Sequence, residues 1–113
     1  MPDGGAIDDV FRALSDPTRR RVLERLSKSP ASVSELAAPF DMALPSFVQH
    51  LRLLEDSGLV SSRKEGRVRT YRLEAKPMRQ AESWLSRQRT VWEDRLDRLD
   101  AYLIELKKQG KSE

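Results

Sequence analysis

The residues whose type and spacing could do chemistry fall in two short stretches. In the first, Ser46, Gln49, His50 and Arg52 lie within seven positions of one another. These are polar groups able to donate and accept hydrogen bonds, the chemistry that reading base edges or holding phosphate requires. In the second, residues 63–72, the cations Arg63, Lys64, Arg67, Arg69 and Arg72 face the single acid Glu65, a local excess of four positive charges. The whole chain of 113 residues carries a formal net charge of only +3, so the excess is concentrated there. Catalysis finds less support. His50 is the only histidine, and a general base needs a nucleophile or paired acid at fixed spacing, which is absent. A contact to base or phosphate is the reading preferred for it, with an ordinary surface histidine as the alternative. The chain has no cysteine, which excludes disulfides, thiolate catalysis and Cys-ligated metal. A zinc site wants three or four convergent ligands. The carboxylates are scattered among basic residues, as surface pairs on helices are, and no glycine-rich phosphate loop is present. The expectation is a chain without enzyme activity, metal or cofactor.

The elements that must position these residues can be read from periodicity and punctuation. Residues 1–6 read as a loose tail. Ile7, Val10, Phe11 and Leu14 recur at helical spacing. Ser15-Asp16-Pro17 stops that helix and starts another, with Asp16 as N-cap and Pro17 in the first turn. The second helix carries Val22, Leu23 and Leu26 and ends near Ser29-Pro30. A short helix with a serine cap follows over 32–38, closed by Pro39 and Asp41. The next, with Pro45 in its first turn, has Phe47, Leu51 and Leu54 as an inward stripe. Gly58 stops it. The period then changes: 60–64 and 67–73 read as short strands joined at Glu65-Gly66. From Pro77 to about Lys108 there is neither Pro nor Gly, so a helix of about 30 residues would span roughly 45 Å. The fold class expected is mainly α with a small β-hairpin: a winged helix-turn-helix plus a long C-terminal helix.

In a helix-turn-helix the second helix enters the major groove and its N-terminal residues touch base edges. The pair at 34–38 and 45–57 has that form. Leu44, Ser46, Phe47, Gln49, His50 and Arg52 are the candidate DNA-contacting residues of the second helix, which assigns Phe47 to both its faces. Arg63, Lys64, Arg67 and Arg69 are the candidate contacts of the hairpin, where a basic wing can straddle the phosphate backbone or enter the minor groove.

The stretch Leu14-Ser-Asp-Pro-Thr-Arg-Arg-Arg-Val-Leu-Glu-Arg-Leu26 resembles the opening signature of ArsR-type repressors. Val33-Ser-Glu-Leu-Ala37, Gln49-His-Leu-Arg-Leu-Leu54, Gly58-Leu-Val60, Arg63-Lys-Glu-Gly-Arg67 and Tyr71-Arg-Leu73 continue it in order. The resemblance covers about residues 7–73 and implies a dimeric winged-helix repressor that leaves a palindromic operator on a signal. The chain departs from it at Ala43 and Val48, where the family often has serine, and at the bulky Phe47. Metal sensors of that family carry a Glu-Leu-Cys-x-Cys-Asp pattern on the short helix, where this chain has Glu35-Leu36-Ala37-Ala38. Their other site uses Asp and His on the last helix, which here has no histidine. The resemblance is thus to a metal-free subset, and no residue identifies an inducer.

The last helix carries Met78, Ala81, Leu85, Trp92, Leu96, Leu99, Leu103 and Leu106 at steps of three and four, with Gln88 the one polar residue in that seam. It is longer than a body of about 65 residues can cover, so a second copy across a two-fold axis is the expected cover. Ile7, Val10, Phe11, Trp84, Leu85, Trp92, Leu96, Leu99 and Leu103 are the candidate homodimer interface. The domain reading is a tail at 1–6, the DNA-binding domain at 7–73, the dimer helix at 74–108 and a flexible tail at 109–113. The N-terminus lacks the basic start and apolar stretch of a signal peptide, and no run approaches the roughly 18 apolar residues of a membrane span, so a cytoplasmic location is expected. The expected partners are double-stranded DNA and a second copy. Two other readings stay open at this stage: a winged-helix adaptor that binds another protein, and a sequence-independent DNA coat.

Overall fold

The computed structural model describes the backbone of residues 2–111 and the side chains of residues 6–110. The elements run α1 (Pro2–Leu14), α2 (Pro17–Leu26), β1 (Ala31–Ser32), α3 (Val33–Ala37), α4 (Leu44–Asp56), β2 (Val60–Glu65), β3 (Val68–Leu73) and α5 (Ala75–Lys111). This is the expected winged helix-turn-helix followed by a long helix. By contacts the chain divides into two units, 1–81 and 82–113. The boundary falls inside α5 rather than at residue 73, because Ala81 is buried in the core of the first unit.

Helix α1 begins at Pro2 rather than at Ile7, so the tail expected over 1–6 is helical from residue 2 onward. Pro is well placed in a first turn, where its missing N–H is an orphan anyway. The Gly4-Gly5 pair costs roughly 1 kcal/mol per residue against Ala, which continuity with the packed turns of α1 can offset. At the other end α5 continues to Lys111. Met1 and residues 112–113 of the two expected tails lie outside the described residues.

The junction of α1 and α2 follows from its caps. Asp16 accepts from the Arg19 backbone N–H at 3.2 Å, with Pro17 in the first turn of α2. The last carbonyls of α1 are taken by guanidinium groups from α2. Arg19 donates to Ala13 O at 2.9 Å and Arg12 O at 3.0 Å, and Arg20 donates to Leu14 O at 2.7 Å. Cations at a helix C-terminus satisfy orphan acceptors and oppose the negative dipole end. Helix α3 has a full capping box: Ser32 Oγ accepts from Glu35 N, and Glu35 accepts from Ser32 N.

The hairpin is part of a three-stranded antiparallel sheet in the order β1-β3-β2. Strand β1 pairs Ala31 with Tyr71 and Ser32 with Thr70. A two-residue strand cannot display alternation, which is why the sequence gives no sign of it. Helix α4 closes in a Schellman motif: Leu59 N donates to Leu54 O, Gly58 N donates to Glu55 O, and Gly58 takes φ +79°. In the wing Glu65 pairs with Val68, leaving Gly66-Arg67 as a two-residue loop. Gly66 has φ +63° and no non-glycine residue among the described residues has positive φ, the pattern of a type II′ turn that suits the twist of a hairpin.

A single core joins these elements, with Val10, Val22, Leu36, Phe47, Leu51, Leu54, Leu59 and Val60 fully buried. Two sequence assignments change as a result. Val10, expected at the dimer interface, is 1% exposed and faces its own core, while Phe11 packs against that core partly buried. Phe47 is 0% exposed, so it cannot meet a DNA base. Its ring lies 5.3 Å from that of Phe40, over which the Arg21 guanidinium stacks at 4.6 Å.

Residues 82–111 are a helix with no core of their own. Trp84, Leu85, Val91, Trp92, Leu96, Leu99, Tyr102, Leu103, Ile104 and Leu106 are all exposed. The i,i+4 pairs Arg89–Glu93 and Asp94–Arg98 lie among them. No helix among the described residues is long and apolar enough to cross a membrane.

Candidate nucleic-acid interface

Helix α4 turns its inward stripe to the core and leaves Ser46, Gln49 and Arg52 exposed. Its N-cap, Ala43, makes no side-chain cap hydrogen bond, and its first turn has no acid. Pro45 has no N–H, so the Leu44 and Ser46 N–H groups are the first-turn donors left open to an anion. Leu44 is exposed at that end, where an apolar group can meet a thymine methyl.

His50 is more engaged than the sequence implies. Its Nδ1 lies 3.0 Å from Arg19 Nη1 and 3.8 Å from Asp16 Oδ2. A guanidinium only donates, so Nδ1 accepts and the proton of the neutral ring sits on Nε2. That leaves Nε2–H as a donor. Asp16 is the hinge of this arrangement. Burial pushes its carboxyl up, but the Arg19 backbone N–H and then the Arg19 charge outweigh this and hold it below the usual aspartate value. On the same flank of α4, a cleft of about 360 Å³ is lined by Asp9, Arg12, Arg19, Gln49, His50 and Arg52, among others. Sequence reasoning missed Arg12 and Arg19. Three consecutive arginines give no sign of which one reaches the histidine.

The register of the wing sorts its cations by face. Cross-strand partners share a face, and the pairs are Lys64 with Arg69, Ser62 with Tyr71 and Val60 with Leu73. Alternation puts all six on the side where Val60 and Tyr71 are buried. Arg63 and Arg72 project from the other side. Arg72 is neutralised internally: it pairs with Glu74 at 3.3 Å and donates to Ser61 Oγ, which itself donates to Glu74 at 2.5 Å. The Ser61 hydroxyl, then the Arg72 charge, hold Glu74 below its usual value. Arg63, Lys64 and Arg67 carry no side-chain hydrogen bond or ion pair among the described residues. Arg69 is held: it donates to Ser62 Oγ at 2.7 Å, and Ser62 donates to Glu55 of α4 at 2.8 Å. Beside them the Tyr71 phenol is pushed above its ordinary value by burial and then by the Glu55 charge.

A family model described as a helix-turn-helix domain matches residues 14–63, from the end of α1 into the wing. A solved structure of an ArsR family transcriptional regulator, RHA00566, is 54% identical, with a TM-score of 0.77. The likeness covers 80% of this chain and 93% of that one. The chain belongs to the ArsR family of transcriptional regulators. It is similar to the transcriptional repressor SdpR of Bacillus subtilis, 29% identical over 79 residues, which cover 70% of this chain and 88% of that protein. It is 40% identical over 67 residues to the HTH-type transcriptional regulator Rv2034 of Mycobacterium tuberculosis, covering 59% of this chain and 63% of the relative. As an ArsR family member the chain is a DNA-binding transcriptional regulator and not an enzyme. The family match spans the helix-turn-helix and the start of the wing, and so takes in Gln49, His50 and Arg63.

Proposed function

We propose that this ArsR family regulator is a homodimeric repressor that occludes a palindromic promoter site. The observation that carries the reading is the placement of unpaired polar and basic groups on adjoining elements. Gln49 and Arg52 stand exposed on α4, and the wing packed against α4 bears the unpaired Arg63, Lys64 and Arg67. Such a surface meets a major groove and its flanking phosphates together. In a symmetric dimer the two α4 helices would enter successive major grooves about 34 Å apart. Leu44, Ser46, Gln49, the Nε2 side of His50 and Arg52 would face the groove. Arg63, Lys64, Arg67 and Arg69 would hold the backbone and supply the salt-sensitive affinity.

The dimer reading rests on the apolar stripe of residues 82–111, with Trp84, Leu85, Trp92, Leu96, Leu99 and Leu103 as its contacts, and it counts Ile7 and Phe11 of the first unit as further contacts to the second copy. A stripe of this extent left in water is an association surface, and a second copy offers a matching one. The signal that releases the repressor is not a metal in this reading. The chain has no cysteine and one histidine, and among the described residues no three His, Asp or Glu side chains converge. A cytoplasmic location fits a protein that works on DNA.

The test is fluorescence anisotropy on the DNA upstream of its own gene, with excess random duplex, across a salt series. Nanomolar binding that survives competitor, at two subunits per duplex, is the expected outcome. Binding removed by competitor would replace the specific operator with a non-specific coat. No binding at low salt would overturn the DNA reading and favour an adaptor whose partner is a protein.

A further inference from the structure

Glu55 is an acid in a place where a DNA-binding surface would be expected to avoid one. It sits near the end of α4 and accepts a hydrogen bond from Ser62 of β2 at 2.8 Å. Ser62 in turn accepts from the Arg69 guanidinium of β3 at 2.7 Å. The relay runs recognition helix, first wing strand, second wing strand. Because Ser62 sits opposite Tyr71, a buried core residue, the sheet fixes its backbone, and the two hydrogen bonds to Glu55 and Arg69 hold its hydroxyl. Arg69 lies opposite Lys64, one pair nearer the wing tip on the same face. A guanidinium on a flexible stem loses rotamer freedom when fixed, so one already held binds phosphate at lower cost.

We propose that Glu55 is a positioning residue for DNA binding: through Ser62 it orients Arg69 and ties the wing to the recognition helix, so that the two engage the duplex as one unit. The inference rests on the DNA reading of the wing given above. It has a sign that simple electrostatics does not. A carboxylate near phosphates repels them, so removing its charge should tighten DNA binding if charge alone mattered. If Glu55 positions Arg69, removing it should loosen binding.

Two variants break the relay differently. Glu55→Ala removes the acceptor and its charge, while Ser62→Ala removes the link and leaves every charge in place. Asp56→Asn is the charge control, since Asp56 is the neighbouring exposed acid and makes no such link. Operator affinity is measured by anisotropy at several salt concentrations, with thermal unfolding followed in parallel. Arg69→Ala and the double variant Ser62→Ala/Arg69→Ala complete a cycle. The expected result is a loss of about three- to tenfold for both Glu55→Ala and Ser62→Ala, no loss for Asp56→Asn, and a double variant no weaker than Arg69→Ala alone. Tighter binding by Glu55→Ala, or losses by Ser62→Ala and Arg69→Ala that simply add, would overturn the positioning role. If Arg69→Ala itself leaves affinity and salt slope unchanged, the wing does not hold DNA through Arg69 and the reading beneath the inference falls instead.

Discussion

Arg19, Arg20 and Arg21 are the same side chain three times, and each does a different job. Successive residues on a helix point about 100° apart. Arg19 therefore reaches His50, Arg20 caps α1 at Leu14 O, and Arg21 stacks on Phe40. Asp16 links the first of these to the cap of α2, which makes a pH-dependent prediction possible. Its native pKa is depressed, so its contribution is present above the unfolded aspartate value and is lost as pH falls through the lower native one. Asp16→Ala should destabilise by about 1 kcal/mol near neutrality, and denaturant titration at successively lower pH should find the gap to the parent closing below about pH 4. A gap unchanged at pH 2 would mean that the cap, not the charge, carries the effect. For DNA, Gln49→Ala should cost about 1–3 kcal/mol at one base position only. Arg67→Ala should weaken all sequences alike and reduce the salt slope by about 1. Competition titrations on operator and random duplex separate the two, and equal losses for Gln49→Ala would remove its role in base reading.

At the scale of elements, the recognition helix and wing are placed by two glycines and a shared core. Gly58 adopts φ +79° to end α4, and a Cβ there would also meet Pro77 Cγ at 3.3 Å. Gly66 adopts φ +63° with nothing within 4 Å, so only backbone strain opposes a side chain. Each substitution to alanine should cost about 1–2 kcal/mol from the left-handed conformation, with Gly58→Ala the worse because Pro77 must also yield. Their consequences should differ in kind. Gly58→Ala lowers the unfolding temperature. Gly66→Ala reshapes the wing and weakens DNA binding more than it weakens the fold, and unfolding curves beside anisotropy data read both. Most elements were legible in advance because their signals are local: Asp16-Pro17, the Ser32/Glu35 spacing and the stripe at Phe47, Leu51 and Leu54. The start of α1 was not, since Gly-Gly reads as a breaker wherever tertiary continuity is unseen. Nor was β1, whose two residues pair only because β3 lies beside them.

For the whole molecule the governing feature is the exposed apolar stripe of residues 82–111, with Trp92 61% exposed. Under the dimer proposal, Leu99→Arg would place a charge in the paired seam. Sedimentation should then find monomers, and operator affinity should fall by about a hundredfold or more as two-site engagement is lost. A dimer that persists, or affinity that holds in a monomer, would move the subunit contact or the binding mode elsewhere.

What the sequence determined by itself was the set of local instructions: caps, periodicities, the Gly66 turn, the concentration of charge in the wing, and the absence of thiols. Each depends on neighbours a few positions apart, and such patterns survive any packing. The tertiary structure alone decided which members of those patterns face outward. Val10 reads from the sequence as a contact for a second copy and Phe47 as belonging to both faces of α4, yet the core claims both because apolar surface is covered wherever a partner exists. Arg69 and Arg72 are three residues apart on one strand, yet one is aimed by Glu55 and the other neutralised by Glu74. The register of β2 against β3 and the packing of α4 on β2 set those partnerships, and both are settled only when separate elements come together.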